Sequence, residues 1–312
     1  MAVFSATLNQ TAFLFLFIVA GYALAKMKLV PDNSQVVLSK LEHYILIPAL
    51  VLGTFIDNFT VATLSSAWKM LLGSSLLLAV AMALTLVCVK FCSKDKYEQN
   101  IFTYGLCFSN FGYVGNAVVS ALYPEIFQEY LIFTLPMWTM IYLWGVPSLL
   151  MGDSGTKPTL KQRLKNFLNP MLVCMVVGMG VGLLNIPVPT FLTSAVSAAG
   201  NCMSPVAMLL TGMTVARFRL KDVLTIKSVY LVSALRLLVY PGLFLVVNLF
   251  VSLPETFAVC AICALAMPLG LNTIVIPNSL GKDTRVASGM ALVSHLLACV
   301  TIPAILAVFQ ML

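Results

Sequence analysis

Apolar runs of about 20 residues follow one another from residue 8 to residue 311, and little else separates them. A chain built this way has one solvent for most of its surface, and that solvent is lipid. In a bilayer every backbone N–H and C=O needs a partner inside the protein, which leaves helices and closed barrels. Barrel strands would show segments of about 10 residues with alternating polarity; these are absent. The composition agrees with helices, since 60% of residues are hydrophobic and only 9% are charged. The sequence therefore predicts an all-α polytopic membrane protein.

Ten spans can be placed, at 8–27, 34–56, 66–92, 99–123, 126–151, 169–185, 190–216, 226–252, 256–280 and 286–311. The opening MAVFSATLNQ has no basic residue ahead of its apolar run, so that run reads as a first span rather than a cleaved leader. Fifteen of the eighteen lysines and arginines fall in alternate connections, between spans 1 and 2, 3 and 4, 5 and 6, 7 and 8, and 9 and 10. The positive-inside rule then puts those connections in the cytoplasm and both termini outside, in the plasma or inner membrane. The longest polar connection, 152–168, ends in LKQRLKNFLNP, a basic amphipathic linker suited to the inner leaflet. It divides the chain into residues 1–151 and 169–312.

These two parts share spacing. Pro31 and Pro189 lie 158 residues apart, Pro48 and Pro205 lie 157 apart, and Gly112 and Gly270 lie 158 apart. Five spans is an odd number, so two such repeats have opposite topology, the inverted-repeat plan of many secondary transporters.

Two spans carry a flaw at their centres. Span 4 contains Ser109-Asn110-Phe111-Gly112-Tyr113-Val114-Gly115-Asn116, and span 9 contains Met267-Pro268-Leu269-Gly270-Leu271-Asn272-Thr273. Proline removes a helix hydrogen bond and glycine relaxes the backbone, so both spans should break. Paired breaks in the two halves of a transporter point to a substrate site at the midplane.

Asn110, Asn116 and Asn272 are the main candidates for that site. An amide offers donor and acceptor without charge, and each either binds substrate or satisfies backbone freed by the break. Tyr113 would contact a ligand from within the first break. Asp57, Glu125, Glu129 and Glu255 all sit at the outer ends of spans, and Glu42 is the deepest acid. With no carboxylate mid-span, the positive ends of half-helix dipoles favour an anion, above all a carboxylate. Arg236 in span 8 and His295 in span 10 either reinforce that field or, respectively, snorkel to the interface and pack as a hydrogen-bonded histidine. Glu42 and His43 are neighbours whose side chains diverge on a helix; each is a candidate for charge or ion coupling, with helix packing as the alternative for His43.

Other chemistries find no footing. The net charge of +7 is scattered over short loops without the aromatic interleaving of a nucleic-acid surface, and the eight cysteines and two histidines form no metal-spaced set. No phosphate-binding loop, nucleophile elbow or zinc-helix motif occurs, so the expectation is a protein with no enzymatic activity, metal or cofactor.

Taken together, NFGYVGNA in span 4, LNPMLV opening span 6, Pro187 to Pro189, SPVAMLLTGM in span 7 and AMPLGLNTIV in span 9 resemble the auxin efflux carrier family, whose bacterial members include malate and malonate permeases. The resemblance covers essentially the whole chain. It implies ten helices in two inverted five-helix repeats, with broken helices 4 and 9 crossing. Helices 1, 2, 6 and 7 would form a scaffold, and helices 3–5 and 8–10 a transport unit that moves like an elevator. The family's crossover positions fall on Asn110, Gly112 and Gly115 and on Pro268, Gly270 and Asn272. The family usually has a proline soon after the first glycine, where this chain reads Gly115-Asn116-Ala117. The expected function is secondary transport of a small mono- or dicarboxylate such as malate, with a proton or sodium as the coupling ion and a homodimer formed through the scaffold. A passive anion channel or facilitator, and a receptor or transceptor, remain open alternatives.

The orientation makes a direct prediction. With the native cysteines replaced, an impermeant thiol reagent applied to intact cells should label Ser5→Cys and leave Ser154→Cys untouched. Labelling of Ser154→Cys from outside would overturn the assignment.

Overall fold

The structure, a computed structural model, describes residues 2–152, 170–251 and 253–312; from residue 153 onward the basic linker lies outside the described residues. The chain forms α1 (Ala2–Lys26), α2 (Ser34–Asn58), α3 (Trp68–Cys92) and α4 (Lys96–Cys107), then α5 (Asn116–Leu122) and α6 (Pro124–Leu150). After the linker come α7 (Pro170–Leu184), α8 (Thr190–Ala216) and α9 (Lys227–Val251), followed by α10 (Glu255–Leu265), α11 (Asn272–Ser279) and α12 (Arg285–Phe309). No strand occurs among the described residues; Ser109 and Leu269 form an isolated antiparallel bridge.

Five of these helices, α2, α3, α6, α9 and α12, are long and apolar enough to cross a membrane. At 25 residues a helix extends about 37 Å, against a hydrocarbon thickness of about 30 Å. Their outward faces are apolar rather than charged: Leu72, Leu76, Val80 and Val87 on α3 and Leu243, Val246, Val247 and Phe250 on α9 are all exposed. The core, in contrast, is rich in aromatics, and Tyr104, Phe108, Phe111, Tyr130, Phe133 and Tyr142 are fully buried.

Between helices in lipid, close backbone approach replaces hydrophobic association. Glycines supply it here. On α1, a Cβ at Gly21 would overlap the Leu209 carbonyl of α8, and one at Gly212 of α8 would overlap the Ile18 carbonyl of α1. Gly178 and Gly182, four apart on α7, lie against α2, where an added Cβ would come within 2.9 Å of the Leu52 oxygen or 2.8 Å of the Phe55 oxygen. Thus α1 packs on α8 and α7 on α2, while α8 also lies along α2 through Gly200.

Several helices contain π turns, at Glu42–Leu46 in α2, Ile141–Leu150 in α6 and Leu235–Val239 in α9, with another at Phe111–Gly115 leading into α5. Each local widening sits beside the region where the two flawed spans meet.

Gly212→Val should lower the melting temperature of the purified protein by on the order of 2–10 °C, from an overpacking cost of about 1–3 kcal/mol. Gly180→Val, at a position with nothing within 4 Å of an added Cβ, should leave it unchanged. Equal melting of the two variants would refute the close-packing account of the α1–α8 contact.

Candidate functional site

Both flawed spans do interrupt. Helix α4 closes with the Phe108 N–H on the Tyr104 carbonyl at 2.9 Å, and Phe108 itself turns extended. Helix α10 closes with the Ala266 N–H on the Ile262 carbonyl at 2.8 Å. Pro268, having no N–H, cannot carry that helix further.

The exposed backbone of each interruption is answered largely by the other. Asn110 donates its N–H to the Pro268 carbonyl at 2.8 Å, within the bridge of Ser109 and Leu269. Ser109 donates through Oγ to the Ala264 carbonyl at 2.7 Å, and the Leu269 N–H reaches Ser294 Oγ at 3.3 Å. At the start of α11 the N–H groups of Thr273, Ile274 and Val275 are taken by the carbonyls of Gly270 and Leu271. Local turns and the opposite break thus occupy these N–H groups.

The glycines act through the space they leave. None of Gly112, Gly115 and Gly270 has a positive φ. They make room instead. A Cβ on Gly112 would come within 2.5 Å of the Trp138 ring, one on Gly115 would overlap the Tyr130 hydroxyl, and one on Gly270 would come within 2.7 Å of the Phe108 carbonyl oxygen. The first interruption consequently falls at Phe108–Asn110, ahead of its glycines, which lie inside the π turn. No proline is needed there, because α4 has already ended.

Arg236 is buried and does not snorkel. From the π turn of α9 its guanidinium donates to Leu106 O at 3.0 Å, Ala264 O at 2.8 Å and Met267 O at 3.3 Å. Those carbonyls belong to the C-terminal ends of α4 and α10 and to the second break. Helix C-termini carry partial negative charge, so a cation there is favoured twice, by hydrogen bonds and by the dipoles. The Tyr240 ring lies 5.7 Å from the guanidinium carbon. Its hydroxyl must donate to Thr85 Oγ1 at 2.8 Å, because the single Thr85 proton is already given to Ala81 O at 2.7 Å.

The asparagines divide. Asn110 is buried and its amide nitrogen lies 2.8 Å from His295 Nε2, while its Oδ1 has no partner among the described residues. His295 in turn has Nδ1 at 2.8 Å from the Ala291 carbonyl. Asn272 is buried at the start of α11 and donates to the Tyr104 hydroxyl at 2.8 Å. Asn116 lies apart, half-buried on the wall of a cavity of about 440 Å³ that also involves Thr54, Asn58, Leu131, Val196 and Asn201. The Tyr113 side chain lies outside the described ones.

Glu42 and His43 occupy the π turn of α2, both buried. Neither Glu42 oxygen, nor His43 Nδ1, nor the Tyr142 hydroxyl has a hydrogen-bond partner among the described residues. The His43 ring meets Tyr44 edge-on, its centroid 4.7 Å away. Tyr142 lies within electrostatic reach of both Glu42 and Tyr104, and the Glu42 turn packs against α11. Of the polar groups here, Tyr104 and Asn272 are joined by a hydrogen bond, while Glu42 and Tyr142 are buried without one among the described residues. The two tyrosines were not singled out from the sequence. In an apolar span a tyrosine is indistinguishable from an interface anchor until its partner is known.

A family model described as a membrane transport protein matches residues 6–306. No curated protein matches the chain.

The Arg236 geometry predicts a structural penalty on its removal. Arg236→Gln and Arg236→Met leave buried carbonyls without donors, at a cost on the order of 3 kcal/mol. Arg236→Lys cannot reproduce a planar fork serving three acceptors. All three variants should melt well below the wild type in detergent. Wild-type melting of Arg236→Met would assign this arginine to substrate rather than to the fold.

Proposed function

The chain belongs to the auxin efflux carrier family of membrane transport proteins, and we propose from this premise that it is a secondary transporter of a small organic anion. The cargo is a mono- or dicarboxylate, as expected of the malate and malonate permease-like branch. In this reading the ten spans form two inverted repeats. Spans 4 and 9, made of α4 with α5 and α10 with α11, cross at the midplane. The remaining spans divide into a scaffold of α1, α2, α7 and α8, which also offers a homodimer surface, and a transport unit of α3–α6 and α9–α12. The unit moves as an elevator in the cell membrane, with both termini outside.

One observation carries the anion assignment. The mutually bridged breaks gather two buried, neutral amides, Asn110 and Asn272, beside a buried cation, Arg236. Among the described residues no carboxylate forms an ion pair with that cation, whose partners are backbone carbonyls. Neutral amides and a net positive centre in a low-dielectric site favour an anion and disfavour a cation. Asn116 and its cavity give the outer approach, and Gly112, Tyr113, Gly115, Pro268 and Gly270 shape the walls.

Uptake of radiolabelled L-malate, malonate and acetate into proteoliposomes tests this reading. At least one should accumulate under an imposed ion gradient. Asn110→Ala and Asn272→Ala should reach the membrane in normal amounts yet bind that carboxylate about tenfold to a hundredfold more weakly, the loss of one hydrogen bond to a charged ligand. Wild-type binding by both variants would move the site elsewhere.

A further inference from the structure

We infer that His295 is the binding site of a proton that enters together with the carboxylate, and that it acts through the amide of Asn110. The inference rests on the anion reading above and names its coupling ion. It begins from two hydrogen bonds. The Ala291 carbonyl can only accept, so His295 Nδ1, 2.8 Å away, carries a proton. His295 Nε2 faces the Asn110 amide nitrogen at 2.8 Å, and since that NH₂ group can only donate, Nε2 is bare. The ring is neutral in this arrangement, with its tautomer fixed from both sides.

That arrangement is the wrong one for an anion. One Asn110 N–H is spent on the imidazole, and the group left without a partner among the described residues is Oδ1, an acceptor. A carboxylate meeting it would meet like partial charge. When Nε2 gains a proton it becomes a donor, and the Asn110 nitrogen can no longer face it. Rotating the amide by about 180° restores the bond, because its oxygen and nitrogen are nearly the same size and swap places. Oδ1 then accepts from Nε2, and the NH₂ group takes the position where Oδ1 lacked a partner. Protonation thus exchanges an acceptor for a donor group and adds a positive charge behind it. No atom leaves the site: the proton is taken from water on one side of the membrane and returned to water on the other.

The elements packed on α12 explain why proton and anion travel together. The π turn at 235–239 carries Arg236, already a buried cation, so a second positive charge at His295 is unfavourable until an anion offsets it. From α4 come Tyr104 and Cys107, with Lys96, Tyr97 and Glu98 in its first turn, at the end away from the breaks; from α10 come Cys260 and Cys263, with Glu255 likewise at its far end; α1 adds Tyr22 and, at its end, Lys26, and α12 itself carries Arg285 and Cys299. Asp222 and Lys221 lie on the short helix Leu220–Leu224, which meets α12 at Gly289, about 9 Å along the axis from His295. The segment of α9 at 227–234 adds Lys227 and Tyr230, and α8 adds the exposed Cys202, while α11 has no ionisable side chain. None of these acids is hydrogen-bonded to His295, whose ring partners are Asn110, Ser294 and the Ala291 carbonyl, so in this proposal the counter-charge for imidazolium is the cargo's carboxylate. By linkage, each ligand then strengthens the other by the same factor.

The chain has two histidines, His43 and His295, so ¹⁵N-histidine labelling of the full-length protein in nanodiscs gives two imidazoles, assigned with His43→Gln. Without carboxylate, His295 should show a neutral ring protonated on Nδ1. With saturating L-malate, malonate or acetate, whichever binds, it should become doubly protonated at a pH where the free protein is neutral. Affinity for that carboxylate should fall roughly tenfold per pH unit above this transition in the wild type, as one linked proton requires, and should be flat in His295→Gln. A carboxylate that binds with no pH dependence, a pH dependence that survives in His295→Gln, or a free ring protonated on Nε2 would each overturn the proton site while leaving the anion reading intact. Failure of all three carboxylates to bind at any pH would overturn both.

Discussion

Buried backbone has no water to turn to, and this fold meets that demand at two interrupted helices placed against each other. A broken helix leaves carbonyls at one side and N–H groups at the other. Placing two breaks against each other lets the Asn110 N–H serve Pro268 O, while Ser109 Oγ serves Ala264 O. Carbonyls outnumber available donors at such a junction, because both α4 and α10 end there. Arg236 makes up the difference with three hydrogen bonds from one planar group. Lysine, with a tetrahedral ammonium on a flexible stem, could not span carbonyls from two helices and a loop in the same way. The interruptions are therefore stabilised as a pair, and neither would persist alone.

This pairing has a mechanical side. The segments that hold the breaks, α4, α5, α10 and α11, are tied through Arg236 to α9 and through Ser294 and His295 to α12. Stacked aromatics extend the same block, with Phe111 edge-on to Trp138 at 5.0 Å and Trp138 stacked on Tyr142 at 5.8 Å. The contact between α1 and α8 is of another kind, helix backbone on helix backbone through Gly21 and Gly212. Hydrogen-bonded junctions fix distances and directions, so the polar side chains at the two breaks are held in one mutual geometry.

Much of this was legible in the sequence, and the remainder was not for identifiable reasons. Apolar length located the helices, and the density of glycine, proline and asparagine located both interruptions to within a few residues. What each glycine does was not readable. Composition cannot distinguish a glycine that permits positive φ from one that yields space, and here Trp138, Tyr130 and Phe108 O occupy the space where Cβ atoms would be. Arg236 was recognised as exceptional, but its partners are carbonyls, which every residue carries and none advertises. The Tyr104–Asn272 hydrogen bond joins residues 168 apart and leaves no local pattern. His295 and Asn110 were each noticed separately; only the fold shows that they meet.

The π turns connect these observations. Each inserts one residue into a helix, costing regular hydrogen bonds and rotating the following side chains, and such turns concentrate at functional sites. In this protein Arg236, Glu42 and His43 all lie within one. A regular α-helix presents a polar side chain to lipid or core according to a fixed 100° step, and a lone ionisable residue in an apolar span would rarely point where its partners are. Widening the turn changes that direction locally without disturbing the apolar faces above and below. For Arg236 the result is visible: a guanidinium buried among three carbonyls, on a helix whose other face exposes Leu238, Leu243 and Val247. For Glu42 the same device buries a carboxyl beside α11 with neither oxygen bonded among the described residues. One turn thus completes the junction of the breaks, and the other places an unsatisfied polar group against it. The second arrangement is the costlier, since desolvation there has no hydrogen bond to offset it. That cost falls where the π turn of α2 packs on the half-helix bearing Asn272.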